Sequence, residues 1–333
     1  MTISGMISGM PLGPGRTISK IVAPTKVGGP ISRLVGTVDI DGQGTKHSLE
    51  ECNPFMLLDS ATISENGKPT FGAHPHRGHS VVTLLLQGRV ASWDSYHPND
   101  GKTTIEGPSS YWVDAASGLF HDEVTIVEDP SDPTQHCKLF QLWMSVKEED
   151  RLKSPSVQHD TNLQVEDALD YDGSVIGSIR YFVGGSDSSI RTPHPITVAH
   201  VTQNCGTMIQ FPIAYDHGGF VVHLNGCARY GDNADVTTDT NTVHVLDVDG
   251  DRHTNYLKIT TPSDDGTTKD EDKTSYLICT GETIDEPWYK KLTSNGAVVA
   301  KTKEEAREIA SKVEVYSKEG LSSGNFAPFG VVP

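Results

Sequence analysis

The sequence predicts an all-β protein built from two antiparallel β-barrels, with a helix near its C-terminal end. Three observations predict this. Apolar runs are short throughout, and 32 glycines and 19 prolines are spread among them, which punctuates strands rather than helices. A run–turn–run pattern, "SVVTLLLQGRVASWD" at 80–94, returns as "GGFVVHLNGCARYG" at 218–231, so one β-rich unit is used twice. Clear helical periodicity is confined to 302–313. A chain of 333 residues is long enough for two domains, each with a core of its own.

Residues 1–16, "MTISGMISGMPLGPGR", carry Gly, Met and Ser and read as a flexible N-terminal arm. They lack the basic region and continuous apolar core of a secretory signal. The N-terminal barrel is expected over 17–150. Within it, 80–94 reads as a hairpin turning at Gln87-Gly88. "CKLFQLWMSV" (137–146) reads as a strand with Phe140, Leu142, Met144 and Val146 on one face. The polar, charged stretch that follows places a linker at 151–174. The second barrel is expected over 175–333, from "ITVAHVTQ", "MIQFPIAY", "NTVHVLDVDG", "NYLKITTP" and "SYLICTGE", with a second turn at Asn225-Gly226. The acidic segment 263–275 reads as a solvated insertion and lacks the spacing of an EF-hand calcium loop. In "TKEEAREIASKV", Thr302 and Glu305 form a capping box, and Ala306, Ile309, Ala310 and Val313 share one face. That face suits a surface helix packed on a barrel.

Composition narrows the function. With 27 Lys and Arg against 44 Asp and Glu, the formal charge is −17, and no basic run offsets it, which argues against direct nucleic-acid binding. No apolar stretch reaches the roughly 18 residues of a membrane span. Cys52, Cys137, Cys205, Cys227 and Cys279 are odd in number and contain no CxxC pair. They fit a reduced intracellular compartment.

The chemistry concentrates in "FGAHPHRG" (71–78) and "ASGLFHDE" (116–123). His74 and His76 are two residues apart, as are His121 and Glu123, so strand alternation puts each pair on one face. If the two strands are neighbours, three imidazoles and one carboxylate converge and leave about two open positions on an octahedral ion. Nitrogen ligands with one carboxylate and open positions suit iron(II) and oxygen chemistry; zinc, manganese, nickel or copper could also be held. His79 falls off the face of His74 and His76 by period 2, which makes it either an outer neighbour of the site or outward-facing. His194, His200, His217, His223 and His244 form no H-x-H or H-x-E pair and read as structural or surface histidines.

"NPFMLLD" (53–59), "HPHRG" (74–78), "TLLLQG" (83–88), "GLFHDE" (118–123) and "QLWMSV" (141–146) resemble, in order and spacing, the pirin and pirin-like bicupin family. "SYLICTGE" and the final helix resemble the end of that family. The resemblance implies two cupin barrels face to face, with one metal in the N-terminal barrel held by His74, His76, His121 and Glu123, and none in the second. Ser80 stands where cupins usually place a carboxylate, so Glu123 must supply it. Ala116-Ser117-Gly118 stands where pirins carry a Gly-Arg-Gly-like stretch, which bears on substrate preference. The implied activity is flavonol ring cleavage with O2, of the quercetin 2,3-dioxygenase type. Glu123 would be the base, and Phe71, Trp112, Leu119, Phe120 and Trp143 are candidate apolar walls. The same resemblance allows an iron-binding, redox-sensing transcriptional co-regulator acting through a transcription-factor partner, or a metal-binding stress protein without turnover. A monomer in the cytoplasm or nucleus is expected in each case.

Overall fold

Short runs rich in β-branched and aromatic residues form strands, and a run with apolar residues at helical spacing, Lys303–Ser322, forms the helix. The computed structural model describes residues 15–36, 52–65, 72–97, 102–170, 172–248, 255–263, 273–293 and 296–322. The all-β class, the antiparallel pairing and the C-terminal helix stand as expected. Among the described residues the pairings form open sheets on shared cores, in jelly-roll fashion, rather than one closed ring.

The chain divides into two units, whose boundaries differ from the expected ones. One unit comprises Met1–Val27, Arg33–Phe55 and Leu163–Thr283; the other comprises Gly28–Ser32, Met56–Asn162 and Ile284–Pro333. Both ends of the chain are therefore traded relative to a simple N-terminal and C-terminal split. Ile18–Val22 pairs with Val243–Leu246, and the final helix packs on Tyr289–Leu292 and Ala297–Ala300 beside His74–Arg77. The expected linker contains two strands. Ser156–Asp160 pairs with Ser109–Asp114, and Val165–Leu169 pairs with Val175–Val183. Two of its charged residues, Arg151 and Asp160, are buried instead of marking a loose connection. Arg16 closes the expected arm in a buried position and donates to the carbonyls of Ala214 (2.9 Å), Tyr215 (3.0 Å) and Asp247 (3.3 Å). The rest of the arm, 1–14, and residues 264–272 of the acidic segment lie outside the described residues.

The site-bearing unit has two sheets. The first runs Tyr289–Leu292, Ala297–Ala300, His74–Arg77, Leu119–Ile126, Arg89–Asp94 and Thr103–Glu106. All its pairs are antiparallel except Ala297–Ala300 with His74–Arg77, which are parallel. The second contains, in order, Ser156–Asp160, Ser109–Asp114, His79–Gln87, Cys137–Ser145 and Phe55–Ile63. Met56, Val81, Leu85, Tyr111, Val113 and Trp143 of the second sheet share a core with Val90, Leu119, Ala297 and Val299 of the first.

The expected hairpin at 80–94 is instead a corner. His79–Gln87 and Arg89–Asp94 lie in different sheets. One intervening residue, Gly88 at φ +90°, is too short for a two-residue reversal. It bends the chain from one sheet to the other. The second run–turn–run segment does the same, since His217–Asn225 and Arg229–Tyr230 also belong to different sheets. The sequence repeat is real, but it marks corners rather than hairpins.

The helix runs Lys303–Ser322, well beyond the expected end at 313, because no proline or glycine interrupts it before Gly320. The Glu305 amide donates to Thr302 Oγ1 at 3.1 Å, while Glu305 Oε2 accepts from the Lys301 amide at 3.2 Å. The capping box is thus closed one residue earlier than the ideal pattern. Ala306 and Ala310 are buried on the inner face.

Candidate metal centre

His74–Arg77 and Leu119–Ile126 are antiparallel neighbours, with His74 opposite His121 and His76 opposite Leu119. Alternation then directs His74, His76 and His121 into the same interior. Their ring centroids lie 4.5–5.0 Å apart, and His74 Nε2 is 3.0 Å from His121 Nε2. One ligating atom from each falls within 4.8 Å of the others, the only such group of three among the described residues.

All three rings are buried, and burial disfavours the imidazolium. It pushes His74 down to about 4, against the opposing effect of its bond to Gly72, and holds His76 and His121 well below the usual value. The rings are therefore neutral at neutral pH and can offer lone pairs. His74 Nδ1 donates to the Gly72 carbonyl at 2.7 Å, which puts the lone pair of the neutral ring on Nε2. His76 Nε2 is buried with no hydrogen-bond partner. Three neutral imidazoles, two of them presenting Nε2 nitrogens 3.0 Å apart and a third with an orphaned Nε2, suit a divalent transition metal.

Glu123 stands just outside the trio. It follows His121 on the same strand face and lies opposite Ser92. Gln141 Nε2 donates to its Oε2 at 2.9 Å, while Oε1 is buried without a hydrogen-bond partner. Trp143 Nε1, which can only donate, reaches Gln141 Oε1 at 3.1 Å. The Gln141 amide is therefore turned with its NH2 toward Glu123. Burial lifts the Glu123 carboxyl to about 7, against the opposing effects of Thr83 and Gln141. Gln141 was missed by the sequence reading. The face opposite Phe140 and Leu142 carries both Gln141 and Trp143, and a polar residue beside a tryptophan on one strand face was the available signal.

His74, Asp122, Glu123 and Gln141 line one cleft with the apolar side chains of Ile63, Val90 and Leu139. Its atom-free space is about 590 Å³, part of it continuous with solvent. Of the expected walls, Trp143 lies beside the site, its ring 5.0 Å from that of His76, and Leu119 belongs to the adjoining core. Trp112 and Phe120 do not serve. Phe120 alternates away from His121 and packs with Trp93, Val313 and Tyr316. Trp112 is one residue off, since Tyr111 shares the inner core and lies 6.2 Å from His121 in a stacked arrangement. Phe71 lies outside the described residues. Ser80 is turned to Asp114, to which its hydroxyl donates at 3.0 Å.

Of the two readings of His79, the structure bears out the outer neighbour of the site, against His76. Gly78 adopts φ +75°, a conformation costly for other residues. It breaks the strand there, so alternation restarts in the other sheet and His79 is fully buried beside His76. Gly78→Ala tests this corner. A Cβ there would meet the Val299 carbonyl oxygen at 2.2 Å, so we expect a loss of about 2–4 kcal/mol by chemical denaturation, with weaker metal uptake.

The second unit's histidines serve other ends. Tyr230 O–H donates to His223 Nδ1 at 2.8 Å, and His223 Nε2 donates to the Gly226 carbonyl at 3.0 Å. His244 is buried with its ring 4.6 Å from Tyr230. His217 lies 4.0 Å from the Asp216 carboxylate, and His200 pairs with Leu277 in the sheet.

Residues 37–144 match the family model for pirin. The chain is 28% identical to a pirin-like protein of Arabidopsis thaliana over 79% of this chain and 78% of that one. It is 26% identical to a Pseudomonas aeruginosa protein named provisionally as a quercetin 2,3-dioxygenase, over 77% of this chain and 83% of the relative. The crystal structure of a quercetin 2,3-dioxygenase from Acinetobacter baumannii superposes with a TM-score of 0.65 at 23% identity, covering 94% of this chain and 98% of the other. That likeness establishes the shared fold.

Proposed function

We propose that this chain, whose residues 37–144 match the family model for pirin, is a metal-dependent dioxygenase that opens the ring of a flavonol-type substrate. In this reading His74, His76, His121 and Glu123 hold one iron(II). The observation that carries it is Glu123, a buried carboxyl raised to about 7 with one oxygen lacking a partner, in the same cleft as His74.

A divalent ion held there would supply positive charge that acidifies a substrate hydroxyl, and open positions for substrate and O2. The remaining work falls to the chain. Glu123 accepts the hydroxyl proton at Oε1, the oxygen that Gln141 leaves free. Gln141, held by Trp143, fixes the carboxylate plane through Oε2. Ile63, Val90 and Leu139 offer an apolar wall to a flat aromatic ring. Asp59 and Asp122 also line the cleft, which favours a neutral polyphenol over a substrate bearing carboxylates. The balance is closed: flavonol and O2 give a ring-opened carboxylic ester and carbon monoxide, and no outside reductant is consumed.

The test is anaerobic loading with iron(II), then oxygen uptake and carbon monoxide release with quercetin. One O2 consumed per carbon monoxide released is the expected result. Metal bound in stoichiometric amount with no oxygen uptake from any flavonol would sink the assignment.

A further inference from the structure

Two strands entering one interior from opposite sides of a corner bring His79 against His76. His79 opens the strand His79–Gln87 immediately after Gly78. Its Nδ1 is 3.0 Å from the Arg77 carbonyl oxygen, and its Nε2 is 3.0 Å from His76 Nδ1. A carbonyl can only accept, so the proton lies on His79 Nδ1. A neutral imidazole then presents a lone pair at Nε2, and His76 Nδ1–H must be the donor to it. His76 in turn carries its own lone pair on Nε2, the buried atom without a hydrogen-bond partner. Trp143 packs against both rings, edge to face with His76 and tilted to His79, with centroids 5.0 Å and 5.3 Å away, and walls the pair in place.

We propose that His79 is a positioning residue for the metal centre: the relay from the Arg77 carbonyl through His79 fixes His76 as the Nδ1–H tautomer and aims its Nε2 lone pair at the ion. The inference rests on the metal-site reading above and adds a residue outside the four expected ligands. The Gly72 carbonyl does the same for His74 directly. His76 has the longer arrangement because His79 occupies the space beside its Nδ1. An accepting imidazole also makes His76 a stronger electron donor than a packing contact would.

The experiment uses cobalt(II), whose visible absorption reports its ligands, with the full chain and two variants. His79→Phe keeps an aromatic ring against Trp143 but cannot accept from His76. His79→Gln is a poorer filler but offers an amide oxygen. Loss of an outer hydrogen-bond partner weakens metal binding by about 10–100-fold, so His79→Phe should show that loss in chelator competition, with a shifted absorption band. His79→Gln should recover most of the affinity. A purely packing role gives the opposite order, with Phe equal to the parent and Gln worse, and that result overturns the proposal. Nitrogen-15 NMR of the metal-free parent supplies a check that needs no variant to fold: His76 must appear as the Nδ1–H tautomer, and the Nε2–H tautomer overturns the relay. A parent that takes up no cobalt overturns the metal-site reading and this role with it. A parent that binds cobalt beside an unaltered Phe variant overturns only the role of His79.

Discussion

His76→Ala should take the metal content of the purified protein to near zero. His76 contributes one of three converging nitrogens, and its Nε2 has no other partner to satisfy. Losing a ligand outright should cost more than the roughly 100-fold that loss of an outer partner can cost. The metal-free protein should also lose about 1–3 kcal/mol, because His79 Nε2 is left without its donor and an imidazole-sized space opens. His223→Ala is the control. It strips the Tyr230 hydroxyl of its acceptor in the other unit and should cost a similar amount of stability, yet leave metal content unchanged. Mass-spectrometric metal analysis after dialysis, with denaturation curves for both variants, separates the two effects. Stoichiometric metal in His76→Ala would mean that the three histidines are a packed cluster and nothing more.

Much of the centre was legible because strand alternation is a local rule. H-x-H and H-x-E each fix a face with no knowledge of the rest of the fold. That the two strands would be neighbours, with His74 opposite His121, was a conditional that only tertiary structure could resolve. The same rule failed where the chain turns a corner. Gly78 resets the alternation, so His79 comes against His76 from the other sheet, whereas counting from His76 left open whether it would neighbour the site or face outward. Gly88 turns an apparent hairpin into a passage between sheets. A single glycine with positive φ is invisible to a periodicity argument, because the sequence shows a break but not its direction. Trp112, a candidate wall, and Tyr111, the residue found in the inner core, illustrate a related point. Both are large and aromatic, and a one-residue error of phase exchanges the two faces of a strand. The unit boundaries were illegible for another cause. Ile18–Val22 and Ala297–Ala300 find partners more than 200 residues away in sequence, and no local pattern encodes such pairings. Glu123 lies between these cases. Its face was legible, but its bond to Gln141 depends on the facing sheet.

Glu123→Gln should abolish turnover while leaving the fold and much of the metal binding intact. The amide oxygen can still accept from Gln141 Nε2, so the contact with the facing sheet survives. An amide cannot take up the substrate proton. Loss of a general base costs about 10²–10⁴-fold, which should appear in kcat; cobalt(II) affinity should fall as well, because an amide is a weaker ligand than a carboxylate, while the three histidines still hold the ion. A stability measurement on the metal-free protein gives an independent reading. Burial raises the Glu123 carboxyl from 4.5 to about 7. Between those values the folded chain retains a proton that the unfolded chain releases, so parent stability falls as pH rises through that window and levels off above about 7. The Gln variant lacks this slope. Its stability relative to the parent should therefore grow from near zero at about pH 4 to about 3 kcal/mol above neutrality. In the loaded protein a bound cation favours the carboxylate, so the acidic limb of the activity profile should lie below 7. If the Gln variant kept full activity in a preparation shown to consume oxygen with quercetin, Glu123 would not be the proton acceptor. If parent and variant showed the same stability profile from pH 4 to 8, burial would not be holding the Glu123 carboxyl protonated in the metal-free protein.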